Sequence, residues 1–100
     1  MLYAVITEDL PNSQEKRAAA RDAHVKRMTD LQAAGRLIIS GPCPAIDSPD
    51  PGPAGFSGSV IIAEFDSLEA AREWIAADPY VTSGVFANVT VKPFRKGFPR

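Results

Sequence analysis

The sequence predicts an α+β domain, a four-stranded antiparallel sheet with two helices packed on one of its faces. Three observations carry that prediction. Four short β-rich runs and two helix-type stretches follow one another in the order βαββαβ. The chain has 100 residues, 45% hydrophobic and 23% charged, an ordinary globular balance that fits one domain over residues 1–100. Finally, the strands carry large apolar side chains on both faces, more than two helices on one side of a sheet would hide.

Leu2 to Thr7 alternates as a strand, with Leu2, Ala4 and Ile6 on one face and Tyr3, Val5 and Thr7 on the other. Pro11-Asn12-Ser13 marks a helix start, and Glu15 stands three residues after Asn12 in capping-box spacing. Gln14 to Ala34 holds no Gly or Pro and reads as one long helix, ended by Gly35 in the left-handed conformation. Arg36 to Ser40 is the second strand. Residues 41–58 hold five prolines and four glycines, so the segment is expected to carry neither helix nor ladder. A connection of that length is usually functional or disordered. Ser59 to Phe65 is the third strand. Asp66 and Glu69 form a second capping box before a helix from Ser67 to Ala77, and Pro79 stops it at Asp78. Val85 to Lys92 alternates as the fourth strand. Right-handed crossovers fold this order into the ferredoxin-like arrangement.

The second face of the sheet points to a partner. Leu2, Ala4, Ile6, Ile38, Val60, Ile62 and members of the Val85/Val89/Val91 and Phe86/Phe94 sets put apolar groups on both sides of the sheet. A soluble monomer rarely leaves a patch of several hundred Å2 of this kind in water. A homodimer packed sheet to sheet is the economical arrangement; a fold-back of the 41–58 loop or of the tail is the other. A net charge of −1 offers no field for nucleic acid or anionic lipid. No apolar run reaches membrane-spanning length, and the lone Cys excludes an internal disulfide, so the chain is expected in the cytoplasm with no membrane partner.

His24, the single histidine, shares a helix stripe with Arg17, Arg21, Met28 and Leu31. It is either a core histidine satisfied by a carbonyl or a proton shuttle titrating near neutral pH. Asp78, before Pro79, is either the cap of a short turn ending at Gly84 or a carboxylate that orients His24. Cys43, between two prolines, is read as an inert thiol. No second His, Cys pair or HxxE spacing supports a metal, and no cofactor is expected. Gly55 to Ser59 precedes a strand, so it is a turn rather than a phosphate cradle. Phe56, Trp74, Tyr80 and Phe94 are pocket walls or plain core.

The stretches LYAVITED, EKRAAARDAHVKRM, ISGPCPAIDSPDPGPAGFSGSVIIAEFDSLEAA, EWIAADPYVTSGVF and VTVKPFRK run in unbroken order over nearly the whole chain. Together they resemble the YCII-related family. The resemblance implies a ferredoxin-like domain that pairs into a dimeric α+β barrel. It also implies a site centred on a histidine and an aspartate. The R-x-x-H pattern falls on His24 and the D-P-Y pattern on Asp78. Ser40 and Gly41, in the Ser40-Gly41-Pro42 turn, and Phe56 and Ser57, in the Gly55-Phe56-Ser57-Gly58 run, are expected around the pocket mouth. The family pattern calls for no thiol at Cys43. Some relatives act in dehydrochlorination of chlorinated hydroxylated aromatics, and similar barrels include isomerases and haem-handling enzymes, which is analogy by fold. The expected function is therefore acid–base chemistry without a cofactor on a small cyclic or aromatic metabolite. His24 would move the proton, Asp78 would orient it, Arg21 would face an anionic oxygen, and Phe56 and Tyr80 would wall the pocket. The alternatives are a dimer that binds or senses a small molecule without turnover, and a purely structural assembly.

Overall fold

A computed structural model describes residues 1–100. Strands β1 (Leu2–Asp9), β2 (Leu37–Pro44), β3 (Phe56–Glu64) and β4 (Phe86–Phe94) form one antiparallel sheet in the order β2-β3-β1-β4. Helices α1 (Gln14–Ala33), α2 (Leu68–Ala76) and the single turn α3 (Pro79–Thr82) lie on one of its faces. This is the ferredoxin-like α+β fold. No helix is long and apolar enough to cross a membrane.

Period-two alternation sorts the sheet. Tyr3, Val5 and Thr7 pair across to Ala63, Ile61 and Ser59 and point at the helices. Tyr3, Val5, Ile61, Ala63 and Phe65 pack with Met28 and Leu31 of α1 and Ala71 and Ile75 of α2 as the main core. A second small cluster joins Ala20, Tyr80 and Val85, with Phe86 against it. Between the clusters the helix-facing side of the sheet turns polar: Thr7, Ser59 and the Asp9 side chain are buried there.

Several boundaries differ from the sequence reading, each for a local reason. β2 does not stop at Ser40. Gly41, Pro42, Cys43 and Pro44 continue it against Val60, Ser59, Gly58 and Phe56, so a ladder does run into the proline-rich segment. Proline is admitted because β2 is an edge strand and its missing N–H falls on the unpaired side. The true connection is residues 45–55, closed by the Ala45 N–H donating to the Gly55 carbonyl at 2.9 Å. The cap of α2 is Ser67, whose hydroxyl accepts from the Ala70 N–H at 3.0 Å, and not Asp66. At α1 the capping box does not form. Asn12 takes a left-handed φ of 58°, and Ser13, the cap by position, is buried with no side-chain bond to the helix. Gly35 ends α1 at φ 71°, a conformation that costs glycine little.

The outer face of the sheet is apolar over three strands only. Leu2, Ala4 and Ile6 of β1, Val60 and Ile62 of β3, and Ile39 of β2 share it, with Ile6 39% and Ile39 61% exposed. On β4 the expected opposition holds for Val89 and Val91 against Phe94, which faces outward, and fails for Phe86. Val89 and Val91 pair with Thr7 and Val5 and face the helices, and a bulge at Glu8/Asp9 brings Phe86 to the helix side too. β4 shows Asn88, Thr90, Lys92 and Phe94 outward.

Gly58 is the tightest point of the β1–β3 ladder, because a Cβ there would collide with the Thr7 carbonyl oxygen. Gly58→Ala is expected to destabilise the fold by about 2 kcal/mol or more, since backbone on both strands must shift. Urea unfolding followed by circular dichroism measures it.

Candidate active site

The site grows from one face of α1. Arg17, Arg21, His24 and Arg27 recur at three- and four-residue spacing, so they project as one row above the polar end of the sheet. Opposite this row α3 begins. Asp78 is its cap, extended at φ −67° and ψ 138°, and its Oδ1 accepts the Tyr80 N–H at 2.9 Å. Pro79 sits at the first helical position, where a missing N–H costs nothing.

The same carboxylate meets α1. His24 Nδ1 lies 3.0 Å from Asp78 Oδ1 and 3.1 Å from Oδ2, and Arg27 Nη1 donates to Oδ2 at 3.0 Å. Asp78 is 0% exposed, so its carboxyl lies wholly inside. Burial pushes its carboxyl upward. The His24 hydrogen bond, the Tyr80 N–H and the positive charges of His24 and Arg27 outweigh that and hold it below the usual carboxylate range. An ionised carboxylate only accepts, so Nδ1 carries the hydrogen and Nε2 is the ring nitrogen left for other work. Arg27 is held in turn by the Trp74 carbonyl, 2.6 Å from Nη2, and by the Trp74 ring, 4.3 Å from its Cζ.

Tyr80 stands between two rows of contacts. Its ring stacks on the His24 ring at 4.1 Å and 19°, while the Arg17 Cζ sits 4.7 Å from its centroid. Burial pushes the Tyr80 phenol up, and the Asp78 charge adds to this, against the pull of Arg17 and Arg21. Arg17 also covers Phe56 at 5.2 Å. Its Nε donates to Asp9 Oδ2 at 3.0 Å, and its Nη2 to the Gly58 carbonyl at 3.4 Å.

A cavity of about 240 Å3 opens beside His24, walled on its polar side by Arg17, Arg21, Ser40, Gly41, Ser59 and Tyr80. An adjoining space of about 330 Å3 adds Gln14 and Phe56 and shares Arg17, Arg21, Pro42 and Tyr80 with the first. Two roomier grooves, near Val89 and near Ile38, hold neither His24 nor Tyr80.

Of the residues singled out from sequence, His24, Arg21, Ser40, Gly41 and Tyr80 line the first cavity and Phe56 the second. Asp78 lies behind His24 and lines neither. Ser57 also lines neither; its hydroxyl donates to the Cys43 carbonyl at 3.3 Å and staples β3 to β2. Ser57, expected at the pocket mouth, thus stands outside both spaces, its hydroxyl aimed at the neighbouring strand. Cys43 is half-buried on β2 and makes no contact with His24. Sequence reasoning missed Arg27, Asp9 and Ser59, and it placed Arg17 on the His24 stripe without giving it a role. Arg27 and Arg17 were visible at offsets of +3 and −7 from His24. Asp9 and Ser59 were visible in strand parity, which puts Asp9 with Thr7 and Ser59 with Ile61.

Because the folded chain holds the Asp78 carboxyl below its ordinary value, the stability it contributes is complete above that ordinary value. It is lost as pH falls through the lowered one. Asp78→Ala is expected to cost about 3 kcal/mol near neutral pH by stranding Arg27 and His24. It should also flatten the loss of stability below about pH 4, the ordinary carboxylate value. Denaturant midpoints of both proteins across the acid range provide the measurement.

Comparison with known proteins places the chain in a family. The YCII-related domain matches residues 1–95. The chain is 55% identical over 98 residues to the protein YciI of Escherichia coli, covering 98% of this chain and 100% of that one. It is 52% identical over 98 residues to an uncharacterised protein of Haemophilus influenzae, with the same coverage of 98% and 100%. Among solved structures, the 5-chloro-2-hydroxyhydroquinone dehydrochlorinase TftG of Burkholderia phenoliruptrix, in complex with 2,5-dihydroxybenzoquinone, superposes with a TM-score of 0.84. It shares 24% identity with this chain, over 97% of this chain and 96% of that one, which is a likeness of fold. The chain thus belongs to the YCII-related family, as a YciI-like member with the ferredoxin-like α+β fold.

Proposed function

We propose that the chain is an acid–base enzyme that needs no cofactor and acts on a small, flat, cyclic hydroxylated compound by elimination or isomerisation. The observation that carries this reading is the His24–Asp78 pair. A buried carboxylate accepts from Nδ1–H, so in the neutral ring Nε2 is the nitrogen that carries the lone pair, beside a cavity walled by two arginines and a stacked phenol. In this reading Nε2 takes a proton from the ring substrate, and the electron pair released either expels a leaving anion or shifts along the ring for reprotonation. Asp78 is the positioning residue that holds the imidazole and stabilises its charged form. Arg21, which has no ion-pair partner, faces the developing oxyanion. Tyr80 and Phe56 supply the apolar walls. The activity named for the structural neighbour, with its quinone ligand, supports the ring-shaped substrate class and dehydrochlorination as the first reaction to assay. The lone Cys43 fits a reducing, cytoplasmic setting.

The same reading includes a homodimer. Ile6, Ile62, Val60 and Ile39 on the outer sheet face fit a second copy laid face to face. Sedimentation equilibrium is expected to give a dimer at micromolar protein, and Ile6→Glu, a charge in the middle of that face, a monomer. A wild-type monomer at millimolar protein removes the dimer from the proposal.

The catalytic test is chloride release from 5-chloro-2-hydroxyhydroquinone, alongside a panel of hydroxylated ring isomerisations. His24→Gln is expected to lower kcat by about 100- to 10,000-fold, the usual worth of a general base, while KM changes little. Asp78→Asn should lower kcat less. If His24→Gln instead abolishes ligand affinity and no substrate turns over, the site binds without catalysis.

A further inference from the structure

Arg17 is held more rigidly than a substrate-facing arginine on a helix surface needs to be, and the way it is held is informative. Its guanidinium lies between the Phe56 and Tyr80 rings, 5.2 and 4.7 Å from their centroids. Asp9 contacts it from the side, through Nε only, and its side chain is 2% exposed. Asp9 Oδ1 is buried with no partner at all. A buried carboxylate normally uses both oxygens, and a two-pronged grip on an arginine is the common way to do so. Here that grip is not taken. Beyond this one-sided contact the Gly58 carbonyl takes one hydrogen from Nη2, at 3.4 Å, the Tyr80 hydroxyl also draws on the guanidinium, and Nη1 donates to no carboxylate or carbonyl. Arg17 lines both spaces of the candidate site, at their junction. Arg17 and His24 stand seven residues, about two helical turns, apart on α1, and both pack on the Tyr80 ring.

We propose that Arg17 is the fixed anchor for an ionised oxygen of a flat ring substrate, a phenolate or enolate, and that buried Asp9 is its positioning residue. This rests on the reading of the cavity beside His24 as the substrate site. The anchor selects for ligands already ionised. Two aromatic rings and a side-on carboxylate restrain the guanidinium, and its planar fork recognises an oxyanion at the edge of a planar ring better than a flexible ammonium does. Arg21 adds positive charge at the same junction, but no carboxylate or aromatic ring fixes it. The unpaired Asp9 oxygen is what the chain tolerates in order to leave the Arg17 fork open.

Titration calorimetry and absorbance with para-nitrophenol, which ionises near neutral pH, test this, with para-nitroanisole as the same ring unable to ionise. Wild-type protein is expected to bind the phenolate about tenfold or more tighter than the anisole, the worth of a charge-assisted hydrogen bond. The yellow phenolate should then persist to lower pH in its presence. Arg17→Met should erase both the preference and the colour shift. Arg17→Lys, which keeps the charge and the pairing with Asp9, should fold and still lose most of them. Asp9→Asn should weaken phenolate binding several-fold, with no further loss when combined with Arg17→Met, an outcome that a general loosening of the fold would not produce. Retention of the preference by both Arg17 variants, with its loss in Arg21→Met or His24→Gln, overturns the anchor and leaves the site reading standing. Wild-type protein that binds neither probe at millimolar concentration overturns both.

Discussion

A carboxylate with no access to water governs one end of this molecule. Asp78 keeps its charge inside the protein because three groups from different parts of the chain donate to it: the Tyr80 backbone, the His24 ring and the Arg27 guanidinium. Each of these bonds fixes a different relationship. The backbone bond starts α3. The imidazole bond sets the angle between α3 and the middle of α1. Through Arg27, which also holds the Trp74 carbonyl, the end of α2 is brought into the same arrangement. The desolvation of one charge is offset only when all three donors arrive together, which makes the relative placement of the three helices specific rather than approximate.

A second ion pair repeats this logic on the other side of Tyr80. Asp9, at the end of β1, holds Arg17 as Asp78 holds His24, so the phenol ring is clasped between two cationic-type side chains, each backed by a buried acid. Asp9 follows Thr7 on the same side of β1, where the sheet interior changes from aliphatic to polar at the Thr7–Ser59 hydroxyl pair, 2.7 Å apart. The main core begins at the next pair, Val5 and Ile61, and continues through Ala63 and Leu31. The division lets the reactive end be polar without drawing the whole interior into water.

Much of this was legible in the residues, for reasons that differ from element to element. The order βαββαβ and the two sides of β1 follow from alternation, and alternation is a property of a single strand. The row Arg17–Arg21–His24 follows from helical spacing. What spacing does not carry is distance between elements. Asp78 could be read as a cap or as a histidine partner, and only the docking of α3 on α1 shows one carboxylate making both bonds. The failures have a common source. β2 ran past its forecast end because an edge strand forgives proline, and being at an edge is a fact of sheet order. The face of Phe86 on β4 was misjudged because a bulge shifts the register after Glu8, which no pattern within β4 records. Ser67 displaced Asp66 because a cap depends on which residue first leaves the helical conformation, a matter of one residue either way.

The prolines of β2 carry a consequence for how copies of this chain can meet. Growth of a sheet by lateral addition, the geometry of fibrils, needs a row of free amide hydrogens along an outermost strand. Pro42 and Pro44 delete two alternate donors on one border, and Pro93 deletes one on the opposite border at β4. Both margins are therefore poor templates for recruiting a further strand. Self-association is steered away from endless ribbons, although three of the four strands display oily residues on the side away from the helices.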